Sequence, residues 1–343
     1  MMDKLPISAA TTGVWAASPA RALEFAGLEP ARSAEEWLER TPEQHEEYQR
    51  AQEGMPNSYL QNTMRQHHAE WEDAFGFGPW YTDAMAETGE VIFAGFELNV
   101  LTGQFNTEQV KQKLLSLGYE TRAHLGEEYL AVPEGGRPNL DSPLRHLVNP
   151  NVRNVFTDGT ILLTAPDTAR IEELLSVRAG EALSLGRHPA FGDLAAILPD
   201  PFFVSILSRK AVVEPEHPPF REYEPRPDWG NVGNWEVLSA AFSRPSPETR
   251  KITVSLWYQG LPGAQAAAGE LERRFRSFNP PQPNPMVSLQ DRCLEHWKAE
   301  ATGAPGGAVV TVSCQLGADA SSEGLGSLLW NVLDDGTLAF LVN

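Results

Sequence analysis

This chain of 343 residues is short of three things: cysteine, of which it has two, basic side chains, 27 against 46 acidic ones, and any long apolar run. No stretch reaches the roughly 18 consecutive apolar residues that a bilayer helix needs, so the sequence offers no transmembrane segment. The deficit of Lys and Arg leaves a formal charge of −19. Such a surface repels phosphate backbones and anionic headgroups, which argues against nucleic acid and membrane surfaces as partners. Catalytic signatures are missing as well. There is no G-x-S-x-G, P-loop, dinucleotide fingerprint, H-E-x-x-H or paired C-x-x-C, so no cofactor is implied. The glycines of GAPGG (303–307) precede a strand rather than a helix and read as a turn.

What remains is an ordinary globular mixture, 41% hydrophobic and 21% charged, long enough for two domains at about 150 residues each. Residues 1–90 read as a helical N-terminal segment. Ser18-Pro19 opens a short helix, Ser33 and Glu36 form a capping-box pattern before a Glu-rich helix running to about Gly54, and a further helix ends near Gly76. From Val91 the pattern becomes strands and one-sided helices. VIFAGFELNV reads as a strand covered on both faces. Val110, Leu114 and Leu117 stripe a helix capped by Asn106, while Gly126-Glu127 and Asp158-Gly159 read as hairpin turns. Ile171, Leu174 and Leu175 mark another helix, and FFVSIL a buried strand.

Residues 212–230 carry five prolines, each fixing φ and removing a donor, so this stretch reads as an extended connector between a first α+β half, 91–211, and a second, 231–343. In the second half KITVSLWY alternates with one buried face. Leu289, Cys293 and Trp297 stripe a helix, Ala308 to Cys314 alternate as a strand, and Leu325 to Leu333 read as a helix leading into a last strand. DGTILLTA (158–165) and DGTLAFLV (335–342) echo one another at unequal offsets, as a degenerate duplication would. The simplest architecture is α+β: two ferredoxin-like layers, each a mostly antiparallel sheet with helices on one face.

A G-x-F-x-x-x-x-V step from strand to helix (Gly103, Phe105, Val110), a Gly-Tyr after that helix (Gly118, Tyr119) and a later Asp-Gly hairpin (Asp158, Gly159) lie within about 91–210. On these features the chain resembles a loose group of uncharacterised bacterial extracytoplasmic lipoproteins with duplicated α/β repeats. The resemblance implies export and a lipid anchor attached upstream of residue 1. Its motifs are structural and carry over no functional residue. The opening residues show no secretory pattern, which leaves a mature exported chain and a cytoplasmic protein both open.

Three groups of residues invite a chemical reading. His68 and Glu72 stand four apart on a helix, with His67 beside them. This is a start for a metal site that needs a third ligand, His45, His124 and His146 being unplaced; the plain alternative is a solvated helix face. Trp71, Trp80 and Tyr81 crowd the junction before the first strand, where they line a ligand or partner cleft or else staple helices to the sheet. Cys293 and Cys314 are two buried core thiols or one disulfide, the latter requiring an oxidising compartment. Two function classes follow. One is an extracytoplasmic protein that binds a small molecule or protein without catalysis. The other is a hydrolase or metalloenzyme of unfamiliar type centred on His67, His68 and Glu72.

Overall fold

The computed structural model describes residues 1–11, 13–52, 60, 64, 67–89, 96–138, 144, 152–198, 203–209, 232–246, 249–277, 293, 295 and 297–317. The class is α+β, with twelve strands and eight α-helices among these residues. None of those helices is long and apolar enough to cross a membrane. The chain falls into two units, the described residues of 1–9, 16–52 and 57–185 and those of 10–15 and 186–343. The expected connector 212–230 and the expected terminal helix and strand (325–342) lie outside the described residues.

Strand β1 (Gly13–Ala17) is shared between the units. The first unit then runs through helices α1 (Pro19–Phe25), α2 (Ala34–Leu38), α3 (Pro42–Gln52) and α4 (His68–Phe75). Strands β2 (Thr82–Gly89) and β3 (Phe96–Gly103) lead to helix α5 (Thr107–Ser116). Strands β4 (Glu120–His124), β5 (Glu127–Ala131), β6 (Asn154–Thr157) and β7 (Ile161–Ala165) precede helix α6 (Thr168–Ala179). The sheet order is β2-β3-β7-β6-β5-β4 with every neighbour antiparallel. Helix starts are fixed by side chains that satisfy orphan amides: Asn106 Oδ1 accepts from Gln109 N–H and Asp167 Oδ1 from Arg170 N–H.

Register places Asn99, Thr164 and Val155 on one face of this sheet, and Val100, Leu163 and Phe156 on the other. Helix α5 lies on the first face, where Lys111 pairs with Glu128; α6 lies on the second, where Glu172 meets Tyr129. The buried stripes Val110 and Leu114 of α5, and Ile171, Leu174 and Leu175 of α6, close the core from the two sides.

The second unit contains α7 (Pro189–Ile197), β8 (Phe203–Ser208), β9 (Val237–Ser246), β10 (Thr249–Tyr258), α8 (Leu261–Ser277), β11 (Lys298–Gly303) and β12 (Ala308–Gly317). Its sheet order is β11-β12-β10-β9-β8, again antiparallel throughout. Trp15 from β1 stacks on Phe203 at 5.7 Å. Trp257 Nε1 donates to Asp193 Oδ2 of α7 at 2.9 Å, while Tyr258, on the opposite face, faces Gly263 of α8. Asp193 also accepts from Gly306 N–H at 3.0 Å, which ties α7 to the turn between β11 and β12.

Several expectations change against this structure. Ferredoxin-like layering is not confirmed. That fold joins two parallel strands by a helix with one strand between them. The second unit has one such element, β10-α8-β11 around β12, but in the first unit β3 and β4 are separated by β7, β6 and β5. Helices lie on both faces of each sheet, so Thr253, Ser255 and Trp257 are as buried as Ile252, Val254 and Leu256. The N-terminal segment is not purely helical, because β1 and β2 fall within it. Its Glu-rich helix is split at Thr41-Pro42, where Thr41 and Gln44 cap each other reciprocally and Pro42 starts a new helix. Ser33 accepts from Glu36 N–H as expected, but the Glu36 carboxylate accepts from Arg32 N–H. The first hairpin turns at Leu125-Gly126, both at positive φ, rather than at Gly126-Glu127. In Asp158-Gly159 only the glycine has positive φ. Cys293 is not helical; it forms an antiparallel bridge with Leu316.

Candidate functional site

Helix α4 ends at Gly76, and the chain turns through a short 3-10 segment, Pro79–Tyr81, before β2. That turn brings Trp80 and Tyr81 back over Glu72. Glu72 Oε1 accepts from the Tyr81 hydroxyl at 2.7 Å, and Oε2 accepts from Trp80 Nε1 at 3.0 Å and from Ala34 N–H at 3.2 Å. One carboxylate thus holds the start of α2, the body of α4 and the 3-10 segment. Burial, and then the bond to Glu72, hold the Tyr81 phenol well above its ordinary pKa.

Among the described residues, the histidines beside it are not joined by a third metal ligand. His68 packs edge-on against Trp80 at 5.8 Å, and both its ring nitrogens are buried with no hydrogen-bond partner among the described residues. His67 occupies the position before α4 and makes no capping bond with its side chain. No group of three or more His, Cys, Asp or Glu side chains is placed to hold a metal ion among the described residues. Trp71 is 1% exposed and packs on Phe75 and Phe77. The expected trio therefore divides: Trp71 is core, while Trp80 and Tyr81 are donors to Glu72. Trp37 extends the aromatic group, stacking on His45 at 4.4 Å and meeting Trp80 at 5.6 Å.

A second polar cluster, scattered in sequence, fastens α6 to the edge of the sheet. Arg122 donates to Thr168, Tyr129 to Glu172, and His124 Nε2 lies 2.9 Å from Ser176 Oγ. Positions 168, 172 and 176 share one helix face at four-residue steps. Ser176, His124 and Glu172 are the residue types of a hydrolytic triad, but the geometry is that of a fastening. His124 Nδ1 is 3.9 Å from Glu172 Oε2, beyond hydrogen-bond reach. Ser176 Oγ donates to the Glu172 carbonyl at 2.8 Å, and its mid-helix location leaves no spare backbone amides to receive an oxyanion. Arg178 closes the same edge, 2.8 Å from Asp158 Oδ2 and 3.6 Å from Glu127 Oε1. Burial opposes the charge on Asp158, yet the Thr160 and Ile161 amides and Arg178 outweigh it and hold that carboxyl below its ordinary pKa.

On the opposite face of the first unit, a cleft of about 230 Å³ opens between α5 and strands β4 to β6. Val110, Leu130 and Val155, all buried, supply its apolar part. Thr107, Thr121 and Thr157 add three hydroxyl-bearing side chains, and Lys111 on α5 pairs with Glu128 on β5 at 3.0 Å. Sequence reading missed this site, because its residues come from four separate elements, α5, β4, β5 and β6, with no shared spacing.

Cys293 and Cys314 are joined as a disulfide, with Cα atoms 5.7 Å apart, and Cys314 is buried on β12. No protein-family model, no curated protein and no solved structure matches this chain.

Proposed function

We propose that the chain is a binding protein without catalytic chemistry, that it works in an oxidising, extracytoplasmic compartment, and that the cleft between α5 and β4–β6 is its ligand seat. The cleft carries this reading: it combines buried apolar side chains with a few polar groups, the composition of small-ligand sites. Its volume is below the range of about 300–1,000 Å³ usual for drug-sized ligands, so the ligand is small. The Cys293–Cys314 disulfide supports the compartment, since such bonds persist where thiols are not kept reduced. The resemblance to extracytoplasmic lipoproteins adds a lipid anchor to the same proposal. An enzyme built on His67, His68 and Glu72 has less support, because Glu72 already accepts three hydrogen bonds.

The test is a thermal-shift screen of small metabolites, repeated on Val155→Trp, which fills the cleft. A ligand at a hundredfold excess over its Kd stabilises the native state by about 2.7 kcal/mol. The expected result is a hit that raises the Tm of the native protein and not that of the filled variant. Hits that shift both equally would place binding elsewhere and overturn the reading.

A further inference from the structure

We infer that the cleft takes a small zwitterion with an aliphatic body, of the α-amino-acid type; this rests on the cleft being the ligand seat. The argument is one of charge balance. Among the lining charges, Glu127 and Asp158 are held by Arg178, whereas Lys111 and Glu128 are paired with each other across the gap from α5 to β5. A ligand that enters between them breaks that pair. A plain anion would satisfy Lys111 and strand Glu128, and a plain amine would do the reverse. A wholly apolar ligand would satisfy neither. Both partners are part-exposed, so leaving one unmatched costs only the modest amount a surface pair is worth, but that still favours the ligand that matches both. A zwitterion replaces each partner, carboxylate on Lys111 and ammonium on Glu128, and lays its side chain on Val110, Leu130 and Val155. Thr107, Thr121 and Thr157 provide hydroxyls that both donate and accept. Glu127, Glu128 and Asp158 outnumber Lys111 and Arg178 by one, so the ammonium end is the better held.

Lys111 and Glu128 side chains are 38% and 65% exposed, so replacing them leaves the core alone. The experiment measures binding of three probes to the whole chain by calorimetry and by amide shifts of ¹⁵N-labelled protein. The probes are leucine, 4-methylpentanoate, which lacks the amine, and 3-methylbutylamine, which lacks the carboxylate. Leucine is expected to bind about tenfold more tightly than either analogue, the scale set by losing one charge-assisted hydrogen bond at a part-exposed site. Lys111→Met should erase the preference over the amine, and Glu128→Gln the preference over the acid. If an analogue matches leucine while shifting the amides of Val110, Leu130 and Val155, the zwitterion class is wrong and the ligand seat stands. If no probe moves those amides, the zwitterion class is overturned, and the seat falls with it only if the thermal-shift screen also places binding elsewhere.

Discussion

Removing the Glu72 carboxylate tests whether it is a structural acceptor or a reactive group. In Glu72→Ala, the Trp80 indole N–H, the Tyr81 hydroxyl and the Ala34 amide lose their acceptor together. Hydrogen bonds to a charged group contribute about 1.5–3 kcal/mol each, but these are part-buried, so water replaces some of the loss. A total near 3 kcal/mol is expected. At about 2–4 °C per kcal/mol for a body of this size, Tm falls by roughly 6–12 °C. Glu72→Gln keeps the shape: its carbonyl can face Trp80 and Ala34, and its amide can donate to the Tyr81 oxygen. Only charge assistance is lost, about 1 kcal/mol and roughly 2–4 °C. Differential scanning calorimetry at neutral pH, with tryptophan emission to follow Trp80, reads both variants. Equal damage from Gln and Ala would refute the reasoning, because an acceptor whose role is geometric must tolerate the amide better than a truncation. An alanine variant as stable as the parent would refute it from the other side.

Two further changes probe how each unit is held together internally. Replacing Cys293 and Cys314 together by serine removes a cross-link over 21 residues, worth about 3 kcal/mol in the chain-entropy account; urea unfolding should show the loss, and dithiothreitol should reproduce it in the parent only. Gly103→Ala should destabilise the first unit severely, since a Cβ there would sit 1.7 Å from the Tyr81 carbonyl oxygen; a variant with an unchanged thermal midpoint would show that β2 and β3 can part at no cost.

The parts of the fold that could be read in advance are those whose signal is local. Asn106, Val110 and Leu114 fix α5 because a cap and a stripe at helical spacing are each complete within a few residues. The failures share a different origin. Leu289, Cys293 and Trp297 stand four apart, and a step of four places residues on one side of a helix and also on one face of a strand, so periodicity alone could not decide. The deciding contacts are distant: Cys293 bridges Leu316, and Trp297 packs on Phe275 of α8 at 4.7 Å. β2 escaped notice because Asp83 and Glu87 break its apolar pattern, although Glu87 is only 1% exposed. At Glu72 the neighbours were visible as a crowd of aromatics, but their convergence on one carboxylate depends on the turn at Gly76 to Tyr81. Whether the two cysteines were bonded likewise hinged on a pairing that spacing does not encode.

The two units share a topology up to a point. In each unit a hairpin (β2-β3, β9-β10) leads into a helix (α5, α8), then to the outermost strand (β4, β11), and the chain returns to pair antiparallel beside the strand that preceded the helix. In the second unit one strand, β12, makes the return. In the first the return takes three, β5, β6 and β7. The same difference bears on the site. Helix α8 has 17 residues, about 26 Å, and buries Ala264, Ala267, Leu271 and Phe275 along its length. Helix α5 has only 10 residues, about 15 Å, yet it lies over a sheet widened by the longer return. A short helix on a wider platform leaves room beside it, and the cleft there is lined by Leu130 and Val155, on the strands of that longer return.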